Sequence, residues 1–212
     1  VRLLFLMGQG AVRATGQDDA LCGFIAATDI ASITGYDEWT CSTAGFTATD
    51  PCASGVEWTG LTCSGGDVVA MDLAAVGTAG SIPSALGSLL SLTDLNAREN
   101  KLVGPLPASL GSLSSLVRLI IPANDFTGPL PSSLGSLLSL TRLECFSTEL
   151  AGSVPSSLGS LSALVGLFLH SNSLSGALPD SLCSAAALAE LEILSNPGLA
   201  CYPSCLSTAV AT

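Results

Sequence analysis

Residues 92–187 consist of four consecutive blocks of 24 residues, LTDLNARENKLVGPLPASLGSLSS, LVRLIIPANDFTGPLPSSLGSLLS, LTRLECFSTELAGSVPSSLGSLSA and LVGLFLHSNSLSGALPDSLCSAAA. Leucine opens every block and returns at Leu188, so the period holds without a slip. A related block, VVAMDLAAVGTAGSIPSALGSLLS, begins at Val68, and a shortened one, LAELEILSNPGLACYPSC, begins at Leu188. A fixed period of this length predicts a stack of similar units, each of which buries its apolar side against its neighbours.

The first part of each block has the pattern of a short strand. Apolar and polar residues alternate in Leu92-x-x-Leu95-x-Ala97, which indicates one buried face. Strands that recur every 24 residues must run parallel, about 4.8 Å apart. An amide at the turn can satisfy backbone groups, a glycine permits a tight bend, and a proline suits an extended return segment. The recurring positions are Asn100, Asn124, Asn172 and Asn196, then Gly80, Gly104, Gly128, Gly152 and Gly176, then Pro83, Pro107, Pro131, Pro155 and Pro179.

This pattern resembles the plant-specific class of leucine-rich repeats, LxxLxLxxNxLxGxIPxxLGxL, from Val68 to about Leu199. The resemblance implies an α/β solenoid, in which a right-handed superhelix carries a parallel β-sheet on its concave face between disulfide-stapled caps. A purely helical array is excluded, because a glycine and a proline interrupt every block.

The segment before the repeats resembles the N-terminal cap of the same proteins. Residues 19–33, DALCGFIAATDIASI, have apolar residues near helical spacing, and PCASGVEWTGLTC follows at 51–63. The cap signature is a helix and then C-x-W-x-G-V-x-C, which residues 53–57 stretch in this chain. The resemblance implies the disulfides Cys52–Cys63 and Cys22–Cys41. We therefore expect a lead-in at 1–17, the N-terminal cap at 18–67, the repeats at 68–195 and a C-terminal cap at 196–212.

The first residues, VRLLFLMGQGAVRA, carry a short apolar run after Arg2. They fit the remnant of a signal peptide that is cleaved after Ala14, and they equally fit a lead-in from a longer upstream chain. The run is too short to cross a bilayer.

The eight cysteines lie towards the two ends, except for Cys145. Terminal clustering predicts disulfides that staple the caps, and hence a secreted, cell-surface or other oxidising location. No CxxC motif is present and there is one histidine, so neither a metal nor a cofactor is expected. Cys145 replaces a core leucine and should be a free, buried thiol. The remaining cysteines leave two pairings open, Cys183 with Cys201 or Cys201 with Cys205.

Seventeen acidic residues against six basic ones give a net charge of −11. A field of that sign repels nucleic acid and anionic membrane surfaces. Neither a nucleic-acid partner nor direct membrane insertion is therefore expected.

The outward positions of the predicted strands form columns on the concave face. Arg118 and Arg142 stand on adjacent strands, where together they could hold a carboxylate. Arg142 could instead pair with Glu144 or Glu190 of its own face. Aromatic residues beside arginine are typical of binding hot spots. The predicted ligand-binding residues are Arg98, Arg118, Arg142, Glu144, Phe146, Phe168 and His170.

The repeats resemble those of plant receptor-kinase ectodomains and of polygalacturonase-inhibiting proteins. The resemblance implies an extracellular module, a monomer or a subunit of a hetero-complex, that binds a protein or peptide ligand with an anionic group. The alternatives are a rigid structural subunit of a larger assembly and an inhibitor of a cell-wall-degrading enzyme. An enzyme is not expected, because an open sheet offers no dry cleft to raise the pKa of a catalytic acid.

Overall fold

The computed structural model describes residues 16–30, 52 and 58–206, in which the 24-residue blocks form stacked coils. A complete coil contains a strand of a first sheet, a strand of a second sheet and a 3-10 helix. Numbered in chain order, the strands of the first sheet are β1 (Leu61–Ser64), β2 (Asp67–Asp72), β4 (Asp94–Asn96), β6 (Arg118–Ile120), β8 (Arg142–Glu144), β10 (Gly166–Phe168) and β12 (Glu190–Glu192).

The predicted parallel sheet is confirmed. Strands β2, β4, β6, β8, β10 and β12 pair in that order, all parallel and in register. Their central residues, such as Leu95 and Leu119, are buried, while the flanking residues face outward. We call this outward side the concave face. Strand β1 was not predicted; it belongs to the N-terminal cap and pairs antiparallel with β2.

The second sheet lies where each chain segment bends after its turn. Its strands, in spatial order, are β13 (Gly198–Cys201), β11 (Ser173–Ala177), β9 (Glu149–Gly152), β7 (Asp125–Gly128), β5 (Lys101–Pro105) and β3 (Ala79–Gly80). A proline in extended conformation, with φ between −63° and −77°, then precedes each of five 3-10 helices. These helices span Ser84–Ser88, Ala108–Ser112, Ser132–Ser136, Ser156–Ser160 and Asp180–Ser184, and a sixth covers Ser204–Leu206.

The recurring asparagines hold the turns between the two sheets, as predicted. The Asn124 amide nitrogen donates to the carbonyls of Ala97 (2.9 Å) and Ile121 (3.1 Å). Its oxygen accepts from the Leu102 N–H (3.0 Å). Asn124 is 5 % exposed, so each of these bonds is made away from water. Thr148 takes the same place one coil later, where its hydroxyl donates to the Cys145 carbonyl (3.3 Å).

Glycine on the opposite side brings neighbouring coils into close contact. A β-carbon at Gly87 would overlap the carbonyl oxygen of Ser109, 22 residues later. The same relation joins Gly111 to Ser133, Gly135 to Ser157 and Gly159 to Ser181. The coils can stack this closely because those four positions have no side chain.

The C-terminal disulfide occupies the next contact in this series, and both predicted pairings were wrong. Cys183 replaces the glycine of its coil, and it is bonded to Cys205, again 22 residues later. Cys205 lies in the 3-10 helix Ser204–Leu206, which contacts the helix Asp180–Ser184. The two Cα atoms are 5.9 Å apart, within the range of a disulfide. Cys201 lies instead in β13, beside Ala177 of β11.

The N-terminal cap begins with helix α1 (Gly16–Ala27), which ends earlier than the predicted segment 19–33. Leu21 and Phe24 are buried in the common core. After the helix, the Asp29 carboxylate accepts hydrogen bonds from the Ala79 N–H (2.7 Å) and the Thr78 hydroxyl (3.0 Å). The cap is thus fastened to β3 by a side-chain oxygen at the end of the asparagine series.

The predicted Cys52–Cys63 disulfide is present, with the Cα atoms 5.5 Å apart. Cys22 is disulfide-bonded as well, and its expected partner, Cys41, lies outside the described residues, as does the lead-in at 1–14. Cys145 is a free and fully buried thiol, as predicted, and burial raises the pKa of that thiol.

Candidate functional site

The strand register places the predicted site residues in columns across the concave face. One column runs through Ala70, Asp94, Arg118, Arg142, Gly166 and Glu190. The next runs through Asp72, Asn96, Ile120, Glu144, Phe168 and Glu192. Neighbours within a column stand on adjacent parallel strands, so their side chains are within reach of one another.

Phe168 is not the exposed aromatic that the sequence predicted. Its side chain lies across Gly166, where an added β-carbon would be 2.6 Å from the ring atom Cε2. The Arg142 guanidinium covers the ring at 4.4 Å from its centroid. Phe168 is therefore only 7 % exposed. Gly166 is a residue that sequence reasoning missed; the signal was a missing side chain in the column beside an aromatic residue two positions later.

Arg142 is held by carboxylates of its own face, the alternative that the sequence left open. Its Nε donates to Glu144 Oε1, and its Nη1 lies 3.3 Å from Glu190 Oε2. The hydrogen bond to Glu144 raises the pKa of Arg142 above its usual value, with the charge of Glu190 adding to the effect. Arg142, Glu144 and Phe168 thus form a cluster with its charge and hydrogen bonds largely satisfied internally.

Arg118 is more available than Arg142. Its Nε donates to Asp94 Oδ1, but among the described residues its two Nη groups have no partner. The side chain is 57 % exposed. Arg98 lies at the margin of the face, 3.8 Å from the Glu99 carboxylate, and it is equally exposed. The two arginines that were expected to hold one carboxylate together therefore differ in their commitments.

Phe146 and His170 form the aromatic part of the face. Their rings are stacked with centroids 4.4 Å apart and an interplanar angle of 13°. His170 Nδ1 lies 3.2 Å from Glu192 Oε2, which orients the imidazole. Leu194, on the next coil, is 46 % exposed. Together these side chains form a half-buried aromatic and apolar ledge, which we call the aromatic ledge (Phe146, His170 and Leu194).

Two classes of site find no support in the described parts of the chain. No group of three or more His, Cys, Asp or Glu side chains is placed there to hold a metal ion. In the same residues, no helix is long and apolar enough to cross a membrane.

Comparisons with known proteins agree with this architecture through structure. No family model matches the sequence, and no curated protein matches it either. A chain of the BIR3–SERK2 complex from Arabidopsis thaliana is 26 % identical and superposes with a TM-score of 0.72, covering 88 % of this chain and 96 % of that one.

A second solved structure is that of the Arabidopsis receptor kinase HAESA in complex with the peptide hormone IDA and the co-receptor SERK1. It is 28 % identical with a TM-score of 0.70, over 88 % of this chain but only 29 % of the other. The LRR ectodomain of the receptor kinase SOBIR1 from Arabidopsis thaliana shares the fold, with 23 % identity, a TM-score of 0.68 and coverage of 88 % and 97 %.

Proposed function

Since the chain is a leucine-rich-repeat protein of the plant type, we propose that it is an extracellular module that binds a protein or peptide ligand along its concave face. One similar structure is a complex of BIR3 with SERK2, and another contains a peptide hormone. The disulfides Cys52–Cys63 and Cys183–Cys205 suit an oxidising, extracellular location. The proposal contains no catalytic step, because the sheet is open rather than a closed cleft.

The aromatic ledge is the observation that carries this proposal. Phe146 and His170 are rigid, because each ring is held by the other and the imidazole also meets Glu192. A rigid aromatic surface loses little conformational entropy when a ligand covers it, and such surfaces are enriched at binding hot spots. An apolar ligand side chain would lie on the ledge, with the exposed Leu194 as one wall.

The ligand's anionic group would bind at Arg118. The free Nη groups of this arginine can donate two parallel hydrogen bonds to a carboxylate, while Nε stays on Asp94. Arg142 is not required to move in this arrangement, which keeps Phe168 covered. The attraction would be screened by salt over about 8–10 Å at physiological ionic strength.

Affinity capture from the secreted fraction of the native source tests the proposal. The bait is the purified chain, compared with the double variant Phe146→Ala/His170→Ala and with Leu138→Ala as a control. Leu138 is 61 % exposed and lies beyond the 3-10 helix Ser132–Ser136, away from the concave face. We expect a partner that the wild type and the control retain and the double variant loses. A partner that all three proteins capture equally would contradict the proposal.

A further inference from the structure

A depression of about 300 Å³ lies on the N-terminal half of the concave face, between β2, β4 and β6. Its floor is Ala70, a small residue in a column whose other members, except Gly166, are charged. At Gly166 the space is filled by the Phe168 ring. At Ala70 the residue two positions later is the shorter Asp72, so the space stays open.

Asp72 does not fold over Ala70 because its carboxylate is held by other groups. Asp72 Oδ1 accepts hydrogen bonds from the Asn96 side-chain amide (3.0 Å) and from the Ala74 N–H (3.2 Å). Among the described residues, nothing donates to Asp72 Oδ2. This oxygen therefore offers a free acceptor with a negative charge beside an apolar floor.

The other charges around the depression cancel. Asp94 accepts hydrogen bonds from Arg118 Nε and from the Thr93 hydroxyl (2.8 Å), so its charge is met within the protein. Ile120 supplies an apolar wall and Thr62 of β1 a hydroxyl. With Asp94 and Arg118 neutral as a pair, the depression carries one net negative charge, located on Asp72.

We propose that this depression receives a lysine side chain of the ligand, with the ammonium group on Asp72 Oδ2 and the aliphatic stem on Ala70 and Ile120. The inference rests on the proposed function, since it assigns a residue type to a ligand on the concave face. The volume is at the lower end of ligand pockets, which suits one side chain rather than a whole small molecule.

Lysine fits this acceptor better than arginine does. A guanidinium binds a carboxylate best through both oxygens, and Asp72 Oδ1 already accepts two hydrogen bonds. An ammonium is a compact charge that a single free oxygen can hold. The ligand would then carry a lysine close to the anionic group that is proposed for Arg118.

Selection from a displayed library of random linear peptides tests the inference. The targets are the wild type and the variants Asp72→Asn, Ala70→Leu and Asp125→Asn. Asp72→Asn keeps the Oδ1 acceptor but removes the charge, and Ala70→Leu fills the depression at a position where other strands carry larger side chains. Asp125→Asn is the matched control, an exposed aspartate of β7 in the second sheet.

We expect peptides selected on the wild type and on Asp125→Asn to carry lysine, in preference to arginine, at one fixed position. Replacing that lysine with alanine should weaken binding about tenfold, as expected for a charge-assisted hydrogen bond. The preference should disappear on Asp72→Asn and on Ala70→Leu.

Selection on Phe146→Ala/His170→Ala separates the two proposals. Peptides that need the aromatic ledge but show no lysine preference would overturn this inference and leave the proposed function standing. Peptides that bind this double variant as well as the wild type would count against the proposed function, whatever residues they carry. A lysine preference that survives Asp72→Asn would also overturn the inference.

Discussion

Among single residues, the asparagine at each turn makes the most hydrogen bonds. Asn172 donates to the carbonyls of Cys145 (2.8 Å) and Leu169 (3.1 Å), and its oxygen accepts from the Leu150 N–H (3.1 Å). The residue before it, Ser171, has a φ of 56°. A left-handed conformation costs about 1–2 kcal/mol for a residue other than glycine. The asparagine bonds on both sides of this residue offset that cost.

Replacing Asn124 with alanine should lower the free energy of unfolding by about 1–3 kcal/mol, because it leaves buried backbone groups without partners. Thr148→Ala should cost less, since the threonine hydroxyl donates to fewer groups than the amide does. Urea denaturation of the two variants against the wild type measures both values. Equal losses would mean that the asparagine bonds are not what holds the turns.

Asp29 provides a pH-dependent version of the same contact. The hydrogen bond from the Ala79 N–H lowers the pKa of Asp29, and the Thr78 hydroxyl contributes in the same direction. A carboxylate with a lowered pKa stabilises the fold above its unfolded pKa of about 3.9 and loses that contribution as the pH falls through the folded value. We expect Asp29→Asn to be less stable than the wild type at pH 7, with a difference that shrinks below about pH 4. Denaturation at pH 7, 5 and 3 measures it, and a difference that is the same at all three would contradict this account.

Among the structural elements, the 3-10 helices show how a repeat can be closed. Four contacts use glycine against serine, and the last uses Cys183 against Cys205 at the same spacing of 22 residues. The double variant Cys183→Gly/Cys205→Ser restores the pair that the earlier coils use. It should fold, because the contact is compatible with the stack, but it should lose roughly 3 kcal/mol of stability, since the disulfide closes a loop of about 22 residues.

Thermal or chemical denaturation of this double variant, beside the single variant Cys183→Gly, measures the loss. The single variant leaves an unpaired thiol at Cys205 and should be no more stable than the double one. A double variant as stable as the wild type would show that the last coil is held by packing alone.

At the scale of the molecule, the parts of the fold that could be predicted are those encoded in each repeat. The strand around Leu95, the amide of Asn124 and the bend at Gly104 are local features, and repetition at 24 residues fixes their place in the stack. Strand β1 could not be predicted this way, because it lies in the cap, outside the repeated pattern. The Cys183–Cys205 disulfide carried a readable signal, since Cys183 occupies a glycine position of the repeat.

The site was harder to predict than the fold. Columns could be written down from the period, but contacts within them depend on side-chain length and charge. The burial of Phe168 follows from the absence of a side chain at Gly166. The commitment of Arg142 follows from two acids on different strands, Glu144 and Glu190, that reach it together. The sequence named both acids as alternatives, and the structure uses both.

The charge of the whole chain, −11, makes the two concave arginines distinguishable by experiment. Arg142→Glu would place a third carboxylate beside Glu144 and Glu190 and uncover the Phe168 ring. The loss of the cation–π contact and two ion pairs should lower the free energy of unfolding by about 2 kcal/mol.

Arg118→Glu should change the unfolding free energy by less than about 1 kcal/mol, because its single ion pair is largely exposed. It should nevertheless abolish binding of the captured partner, because the free Nη groups that hold the ligand's anionic group are gone. Binding by the wild type should weaken between low and physiological salt, as the attraction is screened. Melting curves and binding isotherms of both variants check the distinction. If Arg118→Glu binds as the wild type does, the anionic group does not bind at Arg118; if Arg142→Glu is as stable as the wild type, its carboxylate contacts do not hold the face together.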